Sequence, residues 1–162
     1  MLLLETFIQQ LINGLSLGSV YALIAVGYSL VYSVLLFSNF AHGGFLVIGG
    51  YICYFALRSF DANIWVASLA ALIGAGLSAV IVERLAYRPI RERTPVTLYM
   101  LIASMGMSIV IENIFVVTVG GRFRALPEVI PTNPVNFFGI ATTSAFDIIS
   151  LITAFIFLAG LQ

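Results

Sequence analysis

The chain has 162 residues, of which 61% are hydrophobic and 9% are charged, and its formal net charge is zero. A soluble domain carries roughly a quarter charged residues. This composition therefore excludes an ordinary soluble enzyme, a disordered chain and a nucleic-acid-binding domain with a basic face. The single cysteine, Cys53, excludes a disulfide framework and a cysteine metal cluster. The apolar runs are longer than the alternating segments of about ten residues in a β-barrel, so they predict an all-α integral membrane protein, a polytopic helical bundle.

The first apolar run, Thr6–Leu57, contains no formally charged residue. A continuous helix of this length would measure roughly 78 Å, whereas a bilayer core is about 30 Å thick. The run must therefore cross the membrane about twice. The turn-prone residues of Tyr32–Asn39 favour a break there, within a broken segment near 32–44, and they predict spans at about 7–31 and 40–57.

Three more apolar segments follow, at about 64–82, 96–119 and 148–162. They predict two further full spans and a truncated fifth, because the last segment is shorter than the roughly 20 residues that a span needs. Between them, Pro89 and Pro95 predict that 83–95 is a polar loop. The segment 120–147 is predicted as a longer irregular excursion. We therefore expect residues 1–162 to be the N-terminal part of one transmembrane domain in a longer protein.

Arginine placement predicts the orientation of the chain. The predicted loop 83–95 holds Arg84, Arg88, Arg91 and Arg93, four of the seven basic residues. Short loops rich in Arg stay in the cytoplasm, so this loop is expected to be cytoplasmic. Counting back through three spans places the N-terminus outside. The arginines either determine this topology or bind a cytoplasmic partner.

Small residues recur at helical spacing on two spans. They are Gly14, Gly18 and Ala22 on the first span and Gly74 on the third. Lipid supplies no hydrophobic drive between helices, so faces of small residues allow helices to pack closely. These residues are expected to pack helices within one bundle, and a dedicated dimer seam is the alternative.

The stretch Ser38–Gly44 carries the most information about function. Asn39 is a good N-cap, and Gly43 and Gly44 let the backbone adopt unusual conformations or let a substrate approach it. Many transporters present polar backbone to a substrate through helices broken in this way. His42 is either an interface histidine bonded to a carbonyl or part of the lining of a translocation path. A catalytic base or metal ligand is disfavoured, because no Cys, Asp, Glu or second His stands near it in sequence.

Glu112 is the one carboxylate inside a predicted span. It is expected near the outer interface, about 25 Å above the cytoplasmic end, where it either anchors the helix with Asn113 or lies at the outer mouth of a path. His42 is expected in the inner half of the bilayer. The two side chains would then lie roughly 15–20 Å apart and could not share a proton in an intramembrane enzyme. Tyr21 and Tyr28 either pack against neighbours or face a cavity.

The sequence contains no HExxH or P-loop motif, so it predicts neither a catalytic residue nor a metal site. Four of its stretches resemble the branched-chain amino acid ABC transporter permeases of the Liv H type. The four stretches follow one another along this chain in the order in which the family has them, at Phe7–Tyr28, Asn39–Gly43, Glu83–Arg91 and Ile102–Ser108. Urea and short-amide permeases share the pattern.

The resemblance implies a permease of the bacterial inner membrane that moves leucine, isoleucine or valine. It implies a second, related permease subunit, two cytoplasmic ATPase subunits that bind ATP, and a periplasmic binding protein that delivers the substrate. It also implies a longer protein, whose cytoplasmic coupling loop lies in the half beyond this sequence. The alternatives are a permease for urea or short-chain amides and a structural membrane subunit without a path. The expected path residues are Asn39, His42, Gly43 and Gly44, followed by Tyr21, Tyr28 and Glu112.

Overall fold

The computed structural model describes residues 2–94, 96–122, 124–127, 135–137, 141–143 and 145–160. Six α-helices run through these residues: α1 Leu2–Leu35, α2 His42–Ser59, α3 Ile64–Val82, α4 Arg88–Arg93, α5 Thr97–Thr118 and α6 Ala145–Gly160. A π-helical turn, Glu83–Tyr87, joins α3 to α4. The strands β1, Val135–Phe137, and β2, Ala141–Thr143, pair antiparallel with Val135 opposite Thr143. The all-α prediction is confirmed for the membrane segments, and the short hairpin within 120–147 was not predicted.

Within the part of the chain that the structure describes, three helices are long and apolar enough to cross a membrane, namely Thr6–Leu35, Ile64–Arg93 and Thr97–Thr118. Only 6–17% of each apolar stretch is buried, so long apolar faces remain for lipid to cover. The chain is therefore a multi-pass helical membrane protein. The helix α2, which corresponds to the predicted span 40–57, is not among the three, since His42 and Arg58 lower its hydropathy. The apolar part of α6 is also shorter, Ile148–Gly160.

The prediction of a polar loop at 83–95 is wrong. The chain stays helical through the π-helical turn and α4, so one helix runs over Ile64–Arg93. Pro89 does not stop this helix because it lies in the first turn of α4, where a missing N–H is tolerated. The Arg88 N–H donates to the Glu83 carbonyl across the wider π turn. The four arginines therefore lie on a helix, at Arg84, Arg88, Arg91 and Arg93.

The described residues form two compact units, Met1–Leu30 with Glu128–Gln162, and Val31–Pro127. In the first unit, α1 and α6 meet where the hydroxyl oxygens of Ser19 and Ser150 lie 3.4 Å apart. Polar side chains that bond across apolar helices help to hold them together. The second unit contains α2 to α5.

Glycines let α2 and α3 pack closely in the second unit. A Cβ added at Gly74 would overlap Ile52 Cδ1, and a Cβ added at Gly49 would lie 3.6 Å from Ala75 Cβ. A Cβ added at Gly76, on the same helix, would meet no described atom within 4 Å. Gly74 is therefore a contact position between the two helices, and Gly76 is open.

Gly74→Ala is expected to destabilise the protein relative to Gly76→Ala. Alanine is favoured over glycine by about 1 kcal/mol at either helical position, but only at Gly74 does the new methyl overlap Ile52. The overlapped atom is the terminal methyl of Ile52, which can turn away at a cost of about 0.5–1.5 kcal/mol, so the Tm in detergent should be a few degrees lower for Gly74→Ala. Adding Ile52→Val removes the overlapping Cδ1 and should restore the Tm. Equal Tm values for the two alanine variants would contradict this packing.

Candidate functional site

The residues Leu36–Ala41 connect α1 to α2, and we name them the α1–α2 joint. The helix α1 ends where Leu36 takes a φ of 57°, a left-handed conformation that is uncommon for a residue with a side chain. The Leu36 N–H still donates to the Tyr32 carbonyl at 2.8 Å. The break thus falls inside the predicted segment 32–44, although α1 extends beyond its predicted end at residue 31.

Asn39 holds the joint through its side-chain oxygen. Its Oδ1 accepts hydrogen bonds from the Ala41 N–H at 3.1 Å and from the Tyr87 hydroxyl at 2.8 Å. Asn39 is 5% exposed and Tyr87 is 2% exposed, and polar groups so deeply buried cost free energy unless they are bonded. The bond from the Ala41 N–H, two residues on, is the bond that an N-cap side chain accepts. Because α2 itself begins at His42, after Ala41, Asn39 caps the turn that leads into the helix.

Ser104 of α5 satisfies two backbone groups of the joint. Its hydroxyl oxygen accepts the Phe40 N–H at 3.2 Å. Its one proton is shared between the Ser38 carbonyl at 3.2 Å and the Leu101 carbonyl at 2.8 Å. Ser104 is fully buried. Irregular backbone at membrane depth is tolerated where protein supplies the hydrogen bonds, and Ser104 and Asn39 supply them here.

A small apolar core packs against the joint. The Phe37 ring lies edge-on to the Tyr87 ring, with centroids 5.6 Å apart and an angle of 89° between the planes. Val82 and Met100 belong to the same buried cluster. These four side chains come from the joint, the π-helical turn, α3 and α5, so their burial ties three neighbouring segments to the break.

Three of the four stretches that carry the family resemblance meet at the joint. Asn39–Gly43 forms its end, Glu83–Arg91 contributes Tyr87, and Ile102–Ser108 contributes Ser104. The sequence did not single out Tyr87 or Ser104 as site residues. Ser104 could have been identified because it is a polar side chain inside an apolar span, where such a group needs a hydrogen-bonding partner.

His42, Gly43 and Gly44 form the first turn of α2. Gly44 is buried against α5, where an added Cβ would lie 3.0–3.3 Å from three atoms of Ile111. A Cβ added at Gly43 would meet no described atom within 4 Å, and His42 is half-buried. One face of this turn is therefore packed, and the face at Gly43 is open.

The predicted separation of His42 from Glu112 is wrong. Gly44 lies against Ile111. His42 is two residues before Gly44 on α2, and Glu112 is one residue after Ile111 on α5. The difference in depth is therefore about 5 Å, not 15–20 Å. The prediction placed His42 by its distance from the outer end of one span and Glu112 by its distance from the cytoplasmic end of another. The joint instead lies beside Ser104, well inside α5.

Glu112 and Asn113 bond within their own helix. The Ser108 hydroxyl donates to Glu112 Oε1 at 3.1 Å, and Asn113 Nδ2 donates to the Ile109 carbonyl at 2.8 Å. Both residues are exposed in the second unit. Across the described ranges, no three His, Cys, Asp or Glu side chains are grouped closely enough to hold a metal ion.

The remaining predicted residues belong to the first unit. Tyr21 is exposed, and Tyr28 and Ala22 are half-buried. A Cβ added at Gly14 or Gly18 would meet no described atom within 4 Å. Their expected roles in packing or in a path stay predictions.

A family model described as the permease component of the branched-chain amino acid transport system matches residues 10–162. The chain is 38% identical over 135 residues to the high-affinity branched-chain amino acid transport system permease protein BraD of Pseudomonas aeruginosa. The aligned residues make up 78% of this chain and 43% of BraD. The chain is 40% identical over 131 residues to the LivH proteins of Salmonella typhimurium and Escherichia coli K12, which covers 75% of this chain and 42% of each relative. The chain thus spans about two fifths of the length of these curated relatives, and no solved structure matches it significantly.

Ser104→Ala is expected to lower the free energy of unfolding by about 1–2 kcal/mol, because it leaves the part-buried Phe40 N–H and Ser38 carbonyl without their bond to α5. Ser108→Ala is the matched control on the same helix, since the Ser108 hydroxyl bonds only to the exposed Glu112 among the contacts described. The measurement is denaturant unfolding of the purified protein in detergent micelles. If both alanine variants unfold at the same denaturant concentration, Ser104 does not hold the joint.

Proposed function

The chain belongs to the family of permease components of branched-chain amino acid transport systems, and we propose that it is a permease subunit of an importer for leucine, isoleucine and valine. The family match over residues 10–162 and the names of the relatives support this substrate class. The observation on this chain that carries the proposal is the α1–α2 joint. It is an irregular, polar stretch of backbone held inside an apolar helical protein, and broken helices of this kind present polar groups to substrates in transporters.

In the proposed assembly, this subunit works with a second, related permease subunit. Two cytoplasmic ATPase subunits bind and hydrolyse ATP, and a periplasmic binding protein delivers the amino acid. The permease itself makes and breaks no covalent bond. It offers alternating access, in which motion driven by ATP biases the helices between outward-open and inward-open states.

The proposed location is the bacterial inner membrane, with the N-terminus in the periplasm and Glu83–Arg93 at the cytoplasmic side. This segment carries four arginines and two glutamates. The ion pairs Arg88–Glu92 at 2.8 Å and Arg91–Glu83 at 2.7 Å are short, and they leave the helix end with a net positive charge. An excess of Arg next to a span supports the cytoplasmic side, and this argument does not depend on whether the segment is a loop or a helix.

We assign the substrate path to the open face of the first turn of α2. His42 and Gly43 lie on the part of this turn that remains accessible, whereas Asn39 and Gly44 are buried and act as positioning residues. Glu112 is exposed at nearly the same depth as His42, which supports a place beside the path. For Tyr21 and Tyr28, which belong to the first unit, a role in transport is proposed from the sequence alone.

Uptake of radiolabelled substrates tests the proposed function directly. The protein is expressed with its partner subunits in cells that lack their own branched-chain amino acid uptake. We expect ATP-dependent accumulation of leucine, isoleucine and valine, with urea and acetamide left outside. Uptake of urea or acetamide alone would replace the proposal with a short-amide permease. Absence of all uptake from an assembled complex would identify a structural subunit.

Gly43→Leu is expected to reduce the leucine uptake rate by at least about fivefold, because the new side chain would project from the open face of α2 into the path. Gly76→Leu is the matched control, since an added Cβ also meets no described atom within 4 Å there. It should leave the uptake rate within about a factor of two. Both proteins should appear in the membrane at equal amounts, checked by immunoblot. Equal uptake rates for the two variants would remove Gly43 from the path.

A further inference from the structure

A cavity lies along the middle of α2, further from the joint than the first turn of that helix. Its volume is about 330 Å³, and it is formed by residues of α2 and by the chain that follows α5. Val47 and Leu126 give it apolar walls, and Tyr51 and Tyr54 give it aromatic ones. Small-molecule sites begin at about 300 Å³, so the cavity has the size for a metabolite with few heavy atoms.

The chain folds back over α2 because of the turn that ends α5. Gly120 takes a φ of +89°, and its N–H donates to the Phe115 carbonyl at 3.2 Å and to the Val116 carbonyl at 3.1 Å. A glycine in the left-handed conformation is the usual way to close a helix end. Beneath the turn, the Tyr51 ring stacks on the Phe115 ring, with centroids 4.6 Å apart. The cavity therefore rests on a packed contact between α2 and α5.

Two arginines border this cavity, and they are held differently. The Arg124 guanidinium donates to the Val119 carbonyl at 2.9 Å and lies 5.7 Å from the centroid of the Tyr54 ring. These contacts orient the guanidinium group of Arg124 and leave its other N–H groups available to donate to a ligand. Arg122 also lines the cavity and is exposed. Among the described lining residues there is no carboxylate to neutralise the pair.

We propose that this cavity is an outer subsite for the carboxylate of an apolar amino acid. Arg122 binds the carboxylate through its planar fork, which matches two carboxylate oxygens. Arg124 adds a fixed positive charge, and the aliphatic side chain lies against Val47 and Leu126. The α-ammonium group points to the open mouth, away from the two guanidinium groups. The inference rests on the proposed function, which supplies the amino acid, and on the proposed orientation, which turns this part of α2 toward the periplasm.

Saturation-transfer difference NMR tests the subsite on the full protein in nanodiscs of phosphatidylcholine. Leucine is compared with leucinol, which lacks the carboxylate, and with the α-keto acid of leucine, which lacks the ammonium group. We expect Arg122→Gln to reduce the leucine signal by at least about fivefold, and leucinol to give a similarly weak signal with the unsubstituted protein. The keto acid should bind at least as well as leucine. Arg58→Gln is the control, because Arg58 is an exposed arginine on α2 that does not line the cavity.

Several outcomes would overturn the subsite. Equal leucine signals for Arg122→Gln and Arg58→Gln, or equal signals for leucine and leucinol, show that no carboxylate binds at Arg122. Loss of the leucine signal when phosphatidylglycerol replaces part of the lipid, in an Arg122-dependent way, assigns the cavity to a lipid phosphate. The two proposals fail separately. Leucine uptake with unchanged binding in Arg122→Gln rejects the subsite alone, and Arg122-dependent binding without uptake rejects the proposed function alone.

Discussion

The hydrocarbon interior of a membrane offers no partner for a backbone N–H or carbonyl, and the second unit of this protein is arranged around that constraint. An unbroken helix satisfies its own backbone, but the turn between α1 and α2 does not. Its backbone groups are met by Ser104 from α5 and by the Asn39 side chain, which is held in turn by Tyr87. The fold can therefore break a helix inside an apolar environment only because two other helices bring hydroxyl groups to the break.

The same arrangement explains why separated stretches of sequence belong together. The stretches around Asn39, Tyr87 and Ser104 look unrelated along the chain, since one is a turn, one is rich in Arg and Glu, and one is apolar. In space each supplies one part of a single hydrogen-bonded cluster. A transporter needs a break of this kind that is polar enough to interact with a solute and rigid enough to keep its place, and the cluster provides the rigidity.

The sequence was sufficient for features that depend on composition and length. The helical class, the break within 32–44 and the helices at 64–82 and 97–118 follow from apolar run lengths measured against the thickness of a bilayer. The sequence was insufficient where contacts in the folded protein override the structure that a residue normally favours. Pro89 normally ends a helix, but the π-helical turn before it moves it into a new first turn. The predicted separation of His42 from Glu112 was wrong because a single sequence carries no information about how far α2 is shifted along α5.

The π-helical turn at Glu83–Tyr87 also has a consequence for how this segment tolerates changes of length. A π turn accommodates one more residue than an α turn in the same rise. Deleting a single residue between Val82 and Tyr87 would therefore let this turn close as an ordinary α turn, with the Tyr87 hydroxyl and the arginines beyond it on nearly the same face of the helix. Inserting one more residue there would instead turn the Tyr87 hydroxyl about 100° around the helix axis, away from Asn39, and would carry the arginines beyond it around the same axis. The segment is thus expected to tolerate the loss of one residue better than the gain of one.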